Sequence, residues 1–335
     1  MDILKREFLP NNSNFVHAST VEIWNEHPVF AWFGGQSEGT SDVSIYLHNL
    51  FGKNRTIKMP SDRYPRWNPI LFKHNNKLFL FEKAGVFCDS WQTFYYDITE
   101  WGEDISPEEI LESRQILPAG LNGPVKTRPV LDPQSGNILC GSSVETVYDW
   151  VSYIEEYKIK GSIWELVKRS APLCIKEKKL LRDQRTRDIV VSKGVIQPAL
   201  WVDSDDEVNL FMRSSHPWKT LYYSSRRANG WSDPMKTNLY NPNSGVDVAF
   251  CNGSLYLVYN PNEKYRAPLI ISKINKYVSG SFYIREDLIV ADIDETAFDN
   301  NYSYPYMLEE NGILHLVYTY KNKHIEYLTI NIEED

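Results

Sequence analysis

The stretch Tyr302-Ser-Tyr-Pro-Tyr-Met-Leu-Glu-Glu-Asn-Gly-Ile-Leu-His-Leu-Val-Tyr-Thr-Tyr320 decides the fold, because its layout returns along the whole chain. Two runs rich in strand-forming residues are separated by the pair Asn311-Gly312. Asn and Gly both tolerate positive φ, so this pair between apolar runs is a strong signal for a tight β-hairpin. The stretch therefore predicts two antiparallel strands around a short turn.

Five segments upstream share this layout of a small or Pro-marked strand, a polar turn and an apolar strand. The six segments align through Ser19, Pro69, Pro129, Pro198, Asp247 and Pro305. Successive positions in this set lie 49 to 69 residues apart, which suits a four-stranded propeller blade with its loop. We therefore predict an all-β protein, a six-bladed β-propeller, with an irregular β-sandwich as the alternative.

No low-complexity linker divides the chain, so residues 1–335 are predicted to form a single domain. The run Ile325–Asn331 is expected to close the ring of blades against the N-terminal segment. Ser106–Arg114 predicts one short helix, with Ser106 as its N-cap and Pro107 in its first turn. Residues 176–195, rich in Lys, Arg and Asp, are predicted to form a long loop.

The composition narrows the classes of function. A net charge of −8 argues against a nucleic-acid or anionic-membrane surface. The four cysteines form no close pair, which predicts free, mostly buried thiols and neither a zinc site nor a redox motif. No metal-ligand spacing is present, so no cofactor is expected, and the oligomeric state is left open.

The N-terminus lacks the apolar run of a signal peptide, and no apolar stretch is long enough to cross a membrane. The expectation is therefore a cytoplasmic protein without membrane insertion. A mature secreted or periplasmic form recloned without its signal would have the same sequence features.

Polar residues at the strand starts predict a site, because the innermost strands of a propeller converge at one mouth of the channel. Residues at these starts are His17, Asn68, Arg128, Gln197, Asp247 and Tyr302. Residues just beyond strand ends are Asp42, Lys83, Glu145, Arg213 and Arg266. Titratable groups clustered in a concavity are a candidate active site.

The order of several short motifs gives the chain a resemblance to the sialidase superfamily, in particular to its compact bacterial members. These motifs are Trp32–Asp42, Trp67-Asn-Pro69, Gly123–Lys126, Ile196-Gln-Pro198, Pro242–Asp247 and Tyr302-Ser-Tyr-Pro305. The Asp-box turns typical of sialidases are degenerate, as in Ser225–Trp231. The resemblance covers nearly the whole chain.

The resemblance implies roles for four residues. Arg213 and Arg266 fall at two of the three arginines with which sialidases hold the substrate carboxylate. Asp42 falls at the acid/base aspartate, and Tyr302 falls at the nucleophilic tyrosine.

Three positions depart from the sialidase pattern. His17 replaces the first arginine and Thr319 replaces the glutamate that supports this arginine. Gln197 stands where a glutamate activates the tyrosine. Arginine and its buried counter-charge would have to leave together, because the loss of one strands the other.

The sequence predicts an enzyme acting on an acidic glycan, with the carboxylate bound by Arg213 and Arg266. The sialidase-like version is an exo-glycosidase that releases a 2-keto acid sugar, such as a sialic or 3-deoxy-octulosonic acid. His17 and Glu145 are further catalytic candidates. Additional substrate-binding candidates are Gln197, Arg128, Lys126, Asn68, Asp247 and Trp67. Two alternatives stay open: a lyase on a uronic acid, in which Tyr302 or His17 removes the C5 proton, and a non-catalytic glycan-binding propeller.

Overall fold

The structure, a computed structural model, consists of antiparallel sheets arranged as the blades of a ring. It describes residues 1–60, 63–177, 180–182, 189–191, 194–275, 281–296 and 299–332. In this part of the chain the regular structure is β-strand, apart from the helix α1 (Pro107–Glu112) and a 3-10 turn at Cys88–Ser90. The predicted all-β, six-bladed propeller is confirmed.

The N-terminal strand β1 (Asp2–Phe8) is followed by three blades. Blade 1 consists of β2 (Phe15–Trp24), β3 (His27–Gly35), β4 (Ser44–His48) and β5 (Thr56–Lys58). Blade 2 consists of β6 (Arg66–His74), β7 (Lys77–Ala84), β8 (Gln92–Asp97) and β9 (Gln115–Ile116). Blade 3 consists of β10 (Val130–Leu131), β11 (Ile138–Glu145), β12 (Trp150–Lys160) and β13 (Ile163–Arg169).

A hairpin of β14 (Leu180–Arg182) and β15 (Ile189–Val191) precedes the last three blades. Blade 4 consists of β16 (Val195–Val202), β17 (Val208–Ser214), β18 (Thr220–Arg227) and β20 (Met235–Tyr240), with β19 (Gly230–Trp231) paired to the end of β18. Blade 5 consists of β21 (Asp247–Cys251), β22 (Ser254–Tyr259), β23 (Leu269–Ile274) and β24 (Ile284–Ala291). Blade 6 consists of β25 (Tyr302–Glu310), β26 (Ile313–Tyr320), β27 (His324–Asn331) and β1.

Two local predictions agree with these elements, and a third is corrected in part. The hairpin between β25 and β26 turns at Asn311 and Gly312, with φ of 53° and 78°. Ser106 caps α1, since its hydroxyl accepts a hydrogen bond from the Glu109 amide. The predicted loop 176–195 contains the β14–β15 hairpin, and other parts of that loop lie outside the described residues.

The last blade is completed by both ends of the described chain. β1 pairs antiparallel with β27, from Asp2 opposite Asn331 to Phe8 opposite Glu326. This confirms the predicted closure by the run Ile325–Asn331. Closure matters because β27 would otherwise present an unpaired edge.

The hydrophobic core lies between the blades and accounts for much of the aromatic content. Trp164 packs against Phe81 and Phe79, with ring centroids 4.8 and 5.4 Å apart. Trp32 stacks on Tyr46, and Trp201 packs against Phe211. These tryptophans belong to the core, where flat aromatic faces fill the wide gaps between neighbouring sheets.

The four cysteines are free, as predicted, but only two of them are fully buried. Cys140 and Cys251 are buried, whereas Cys88 and Cys174 are half-buried. Within the described ranges, no helix is long and apolar enough to span a lipid bilayer.

Candidate functional site

The innermost strands of four blades are kinked at equivalent points. The kinked residues have left-handed φ values: Ala18 (51°), Asn68 (40°), Gln197 (55°) and Tyr304 (52°). At each of them the register with the second strand of the blade shifts, as in a β-bulge. Left-handed conformations are strained for residues other than Gly and occur often at functional sites, where they re-aim side chains.

Two arginines from blades 4 and 5 converge beside these kinks. Arg213 donates a hydrogen bond to the Asn243 carbonyl oxygen at 2.9 Å, and Arg266 donates to the same oxygen at 3.2 Å. Arg213 is 5% exposed. Among the described residues, no carboxylate lies within ion-pair distance of either guanidinium, although other arginines of the chain have such partners.

The two guanidiniums are held together at an electrostatic cost. Burial lowers the pKa of Arg266, and the positive charge of Arg213 lowers it further, against an opposing effect of Tyr304. A bound anion would relieve this repulsion, and a carboxylate matches the planar fork of an arginine. The pair is therefore suited to bind the carboxylate of a ligand.

Tyr304 lies between these arginines. Nη2 of Arg213 donates to Oη of Tyr304 at 3.0 Å, and Nε2 of Gln197 donates to the same oxygen at 3.2 Å. The guanidinium carbons of Arg213 and Arg266 lie 5.4 and 5.9 Å from the centre of the Tyr304 ring. Gln197 thus lies beside Tyr304 and Arg213, and its predicted role in substrate binding stays a prediction.

The structure corrects the placement of Tyr302, which was expected at the centre of the site. Its side chain is buried against Tyr318 and Tyr320 and donates its hydroxyl to Asn300 at 3.3 Å. The bulge between Ser303 and Tyr306 separates the two tyrosines, so that Tyr302 packs in blade 6 while Tyr304 reaches the arginines. Any catalytic role of a tyrosine at this site therefore falls to Tyr304.

His17 packs against Tyr304 on the side of blade 1. The two ring centroids are 4.2 Å apart, and His17 is 4% exposed. Burial, followed by the charges of Arg266, Arg213 and Lys126, lowers the pKa of His17 well below its ordinary value. Its imidazole is therefore neutral at neutral pH, and its Nδ1 has no hydrogen-bond partner among the described residues.

The carboxyl group that faces the arginines belongs to Glu38, whereas Asp42 was predicted. Desolvation of its carboxyl group raises the pKa of Glu38, against the opposing effects of Arg266 and Arg213, although the residue as a whole is exposed. Asp42 is instead a turn residue whose Oδ2 accepts a hydrogen bond from the Gln36 amide at 2.8 Å. Hydrogen bonds, first from Thr40 and then from Gln36, lower the pKa of Asp42 and keep it ionised. Glu38 is therefore better placed to hold a proton for a leaving group.

Lys126 and Asp247 lie inside the channel below Tyr304. Lys126 donates from Nζ to the carbonyl oxygens of Val246 and Pro305. Burial lowers the pKa of Lys126 to about 8 and raises that of Asp247 to about 6. Both side chains are buried, so the structure favours internal roles over the direct substrate contacts that were predicted.

Arg128 and Asn68 do not join the arginine pair. Arg128 lies 3.7 Å from Glu22 and lines a cavity of about 390 Å³ with Lys73 and His74, near the far end of the innermost strands. Asn68 is buried and donates to the Val125 carbonyl at 2.9 Å. Arg128 therefore belongs to the opposite mouth of the channel, and the Asn68 side chain links blade 2 to the segment before blade 3.

Trp67 and Glu145 lie on the rim of the site. Trp67 donates from Nε1 to the Gly85 carbonyl at 2.8 Å, packs against Trp91 and lies below Gly39, next to Glu38. Glu145 ends β11 opposite Trp150, which in turn lies 5.7 Å from the Arg213 guanidinium. Both are therefore rim residues of the site.

Two residues of the site, Tyr304 and Glu38, were not predicted from the sequence, and only Tyr304 has a signal there. Tyr304 precedes Pro305 as Gln197 precedes Pro198 and as Asn68 precedes Pro69, so the repeat alignment itself marks it. Glu38 has no such signal. It lies in a loop whose path past Arg266 depends on tertiary packing.

The described residues contain no group of three or more His, Cys, Asp and Glu side chains placed to hold a metal ion.

Comparison with known proteins identifies a matching family and solved structures of similar fold. Residues 27–316 match the family model described as a BNR repeat-like domain. A crystal structure of a protein of unknown function from Dyadobacter fermentans DSM 18053 superposes with a TM-score of 0.70 at 12% identity, covering 99% of each chain. No curated protein matches the chain significantly.

Structures of Trypanosoma rangeli sialidase are also similar. Its complex with the inhibitor DANA has a TM-score of 0.61 at 10% identity, covering 95% of this chain and 55% of the sialidase chain. Its complex with sialic acid has a TM-score of 0.60 at 10% identity, with 96% and 54% covered. The chain thus spans about half the length of that sialidase, and at such identity the likeness shows the fold alone.

Proposed function

Because the chain belongs to the family of BNR repeat-like domains and folds as a sialidase-like propeller, we propose that it is a glycoside hydrolase that releases an acidic sugar. The substrate class is a glycan ending in a 2-keto acid sugar, such as a sialic or 3-deoxy-octulosonic acid. The observation that carries the proposal is the pair of Arg213, which is buried, and Arg266, which is half-buried. The two arginines converge on one carbonyl without a carboxylate partner among the described residues.

The arginines would fix the reacting carbon as well as the charge. In a 2-keto acid sugar the carboxylate is bonded directly to the anomeric carbon, so a bidentate grip on the carboxylate also orients that carbon. Tyr304 Oη lies 3.0 Å from Arg213. A sugar held by this arginine would therefore present its anomeric carbon close to the phenol oxygen.

The first chemical step is a displacement at the anomeric carbon. Tyr304 Oη forms a bond to this carbon as the glycosidic C–O bond breaks, and the phenol proton passes to the neutral imidazole of His17. Glu38 donates its proton to the departing oxygen. The products are a covalent glycosyl-tyrosine and the shortened glycan.

The second step returns the site to its starting state. The Glu38 carboxylate takes a proton from a water molecule, whose oxygen attacks the anomeric carbon. The bond from this carbon to Tyr304 Oη breaks, and the phenolate recovers its proton from His17. The released product is the free keto acid sugar.

The test compares an acidic glycoside with its neutral amide for wild type, Arg213→Ala, Arg266→Ala and the double variant. A hydrogen bond to a charged group contributes about 1.5–3 kcal/mol, so each single variant should lose roughly tenfold to a hundredfold in kcat/KM on the acid. Wild type should be poor on the amide, and the double variant should be little worse. Arg285→Ala, at an exposed site on β24, is the matched control and should act like wild type.

Equal rates of wild type on the acid and the amide would show that the carboxylate is not recognised, and the proposal would be wrong. A panel of acidic glycans that are neither cleaved nor bound would have the same consequence. Binding at the channel mouth without any product would favour a non-catalytic glycan-binding propeller.

Gln197 favours elimination from a uronic acid as a second candidate. Its amide donates to Tyr304 and cannot take up the phenol proton as a carboxylate would. In the elimination, His17 removes the C5 proton, the C5–H electron pair forms a C4–C5 double bond, and the bond from C4 to the leaving oxygen breaks. Glu38 protonates this oxygen. The unsaturated uronate absorbs ultraviolet light and a free keto acid sugar does not, so the absorbance of the product separates the two reactions.

A further inference from the structure

The segment Pro124–Thr127 enters the channel before blade 3 and is bonded to the blades around it. Blade 3 leaves room for it, because its innermost strand β10 has only two residues. The bonds are Lys83 Nζ to the Pro124 oxygen (2.8 Å), Asn68 Nδ2 to the Val125 oxygen (2.9 Å), and Thr127 Oγ1 to the Pro198 oxygen (2.6 Å). Blades 2 and 4 thus hold this segment in place.

Lys126 extends the connection from this segment to blades 5 and 6. Its Nζ donates to the Val246 oxygen at 3.2 Å and to the Pro305 oxygen. Pro305 directly follows Tyr304, whose left-handed backbone conformation turns its side chain toward the arginines. The buried ammonium therefore bonds the backbone of the very bulge that carries the tyrosine.

Gly245 brings the two side chains together. A Cβ atom at this position would lie 3.2 Å from Cε of Lys126 and 3.4 Å from Cδ2 of Tyr304. The lysine stem and the tyrosine ring thus both pack against one glycine, and neither can shift far without affecting the other.

Asp247 holds the same bulge from the other side of Lys126. Its Oδ2 accepts from the Met307 amide at 2.9 Å and its Oδ1 accepts from the Val248 amide at 3.0 Å. Three charged or titratable groups interact electrostatically with Lys126: Asp247, Arg213 and His17. Of these groups, Asp247 carries the negative charge that offsets the positive charge of Lys126.

We propose that Lys126 is a positioning residue for Tyr304: its ammonium fixes the bulge so that the phenol oxygen stays between Arg213 and Gln197. The consequence for catalysis rests on the proposed function, whereas the position of the ring does not. Lys126 acts through the backbone and not through the substrate, because its ammonium is bonded to the Val246 and Pro305 carbonyl oxygens.

The test variant removes both members of the buried pair, so that it leaves no buried charge without a partner. Lys126→Met alone would leave the buried Asp247 carboxyl uncompensated, a cost that can prevent folding. The test variant is therefore Lys126→Met with Asp247→Asn. Asp247→Asn alone is its matched control, and both are studied at pH 6, below the pKa of about 8 of Lys126, so that the ammonium of the control keeps its proton without the counter-charge. Crystal structures should show Tyr304 Oη displaced from Arg213 and Gln197 in the double variant and retained in the control.

The kinetics should separate positioning from binding. On the acidic glycoside, the double variant should lose roughly tenfold to a hundredfold in kcat relative to Asp247→Asn, the range expected when a reacting group is misplaced. KM should change by no more than about twofold, because the arginines remain. A double variant with Tyr304 in place and an unchanged kcat would overturn the proposal.

The dependence of kcat on pH is a further test, because a lysine with a purely structural role would not change it. Because burial lowers the pKa of Lys126 to about 8, wild-type kcat should fall as the pH rises through that value and the ammonium loses its charge. The substrate for this profile has an activated aryl leaving group, which needs little protonation by Glu38. In Lys126→Arg the guanidinium keeps its charge, so this alkaline limb should move to higher pH. An unmoved limb would contradict the proposal.

Failure of the proposed function is distinguishable from failure of this inference. If wild type neither binds nor converts an acidic glycan, the proposed function is wrong, and the position of Tyr304 in the two crystal structures still decides the role of Lys126.

Discussion

At the scale of single residues, the site depends on which of two neighbouring tyrosines reaches the arginines. Tyr304 accepts hydrogen bonds from Arg213 and Gln197, whereas Tyr302 packs against Tyr318 and Tyr320. The two residues are only two positions apart, so substituting each in turn gives a matched pair.

We expect Tyr304→Phe to lower kcat at least a hundredfold while the acidic ligand still binds within about threefold of wild type, because only the reacting oxygen is lost. Tyr302→Phe should retain near wild-type kcat, since its hydroxyl bonds Asn300 outside the site. Steady-state kinetics and calorimetric titration of the ligand check both. Equal losses in the two variants would show that the hydroxyls serve packing alone.

Glu38 and Asp42 form a second matched pair at this scale. The pKa of Glu38 is raised, so its acid form persists to higher pH than that of an ordinary glutamate. Activity that needs this proton should fall as the pH rises through the raised pKa of Glu38. The lowered pKa of Asp42 means that it carries no proton to donate near neutral pH.

We therefore expect Glu38→Gln to slow cleavage of substrates with poor leaving groups roughly a hundredfold, the usual contribution of general acid catalysis. Substrates with an activated aryl leaving group need less protonation and should be affected less. Asp42→Asn should keep the wild-type pH profile. A pH profile that is unchanged in Glu38→Gln would remove this residue from the mechanism.

At the scale of elements, neighbouring blades approach each other closely at Gly141. A Cβ atom there would lie 2.2 Å from the Pro198 carbonyl oxygen and 2.9 Å from Cδ1 of Leu200. Pro198 accepts the hydroxyl of Thr127, so the same contact also holds the segment that enters the channel. The distance between β11 and β16 is set by the absence of a side chain.

We expect Gly141→Ala to lower the free energy of unfolding by about 2 kcal/mol or more, because backbone atoms on both sides must move apart. Gly102→Ala is the matched control, since no atom lies within 4 Å of its added methyl group. Urea unfolding of the three proteins measures the difference. Equal midpoints for Gly141→Ala and Gly102→Ala would show that the blades adjust freely.

At the scale of the whole molecule, the ring is closed by β1. This strand is exposed along its length, yet it pairs with β27 from end to end. Arg6 strengthens the closure by pairing with Glu326 and by donating to the Val290 carbonyl of the neighbouring blade. The contribution of β1 is therefore mainly to pair with the backbone groups at the edge of β27 and to connect blade 6 to blade 5.

We expect removal of residues 1–8 to lower the urea midpoint and to promote aggregation, because β27 becomes an open edge strand. Lys5→Ala removes a surface ion pair with Glu7 and a cation–π contact with Tyr327, each worth about 1 kcal/mol or less, and serves as the control. Urea unfolding and light scattering provide the readouts. A truncated chain as stable and as monodisperse as the control would contradict closure by this strand.

The dependence of stability on pH is also a property of the whole fold. Burial raises the pKa of Asp247 from 3.8 to about 6, so the folded state binds this proton more tightly than the unfolded state. Its contribution to stability is complete below pH 4 and is lost as the pH rises through 6, by up to about 3 kcal/mol. Between pH 4 and 7, wild type should therefore lose stability relative to Asp247→Asn. Parallel curves of unfolding free energy would contradict this.

The sequence by itself determined the architecture. Strand periodicity and turn chemistry are local, and six copies of one layout leave a ring of blades as the consistent way to bury them. The tight turn at Asn311-Gly312, the cap of α1 and the closing strand all follow from residues that are adjacent in sequence. The two arginines could also be predicted through the resemblance, because Arg213 ends the fourth repeat and Arg266 precedes the strand-like run Pro268–Ser272.

Tertiary structure alone decided which side chains meet. A bulge of one residue reverses the direction of the side chains that follow, so Tyr304 rather than Tyr302 reaches Arg213. Loop packing brings Glu38 toward Arg266, and the short β10 lets Lys126 enter the channel while Arg128 lies at its opposite mouth. These outcomes depend on contacts between residues tens to hundreds of positions apart, which a local pattern does not encode.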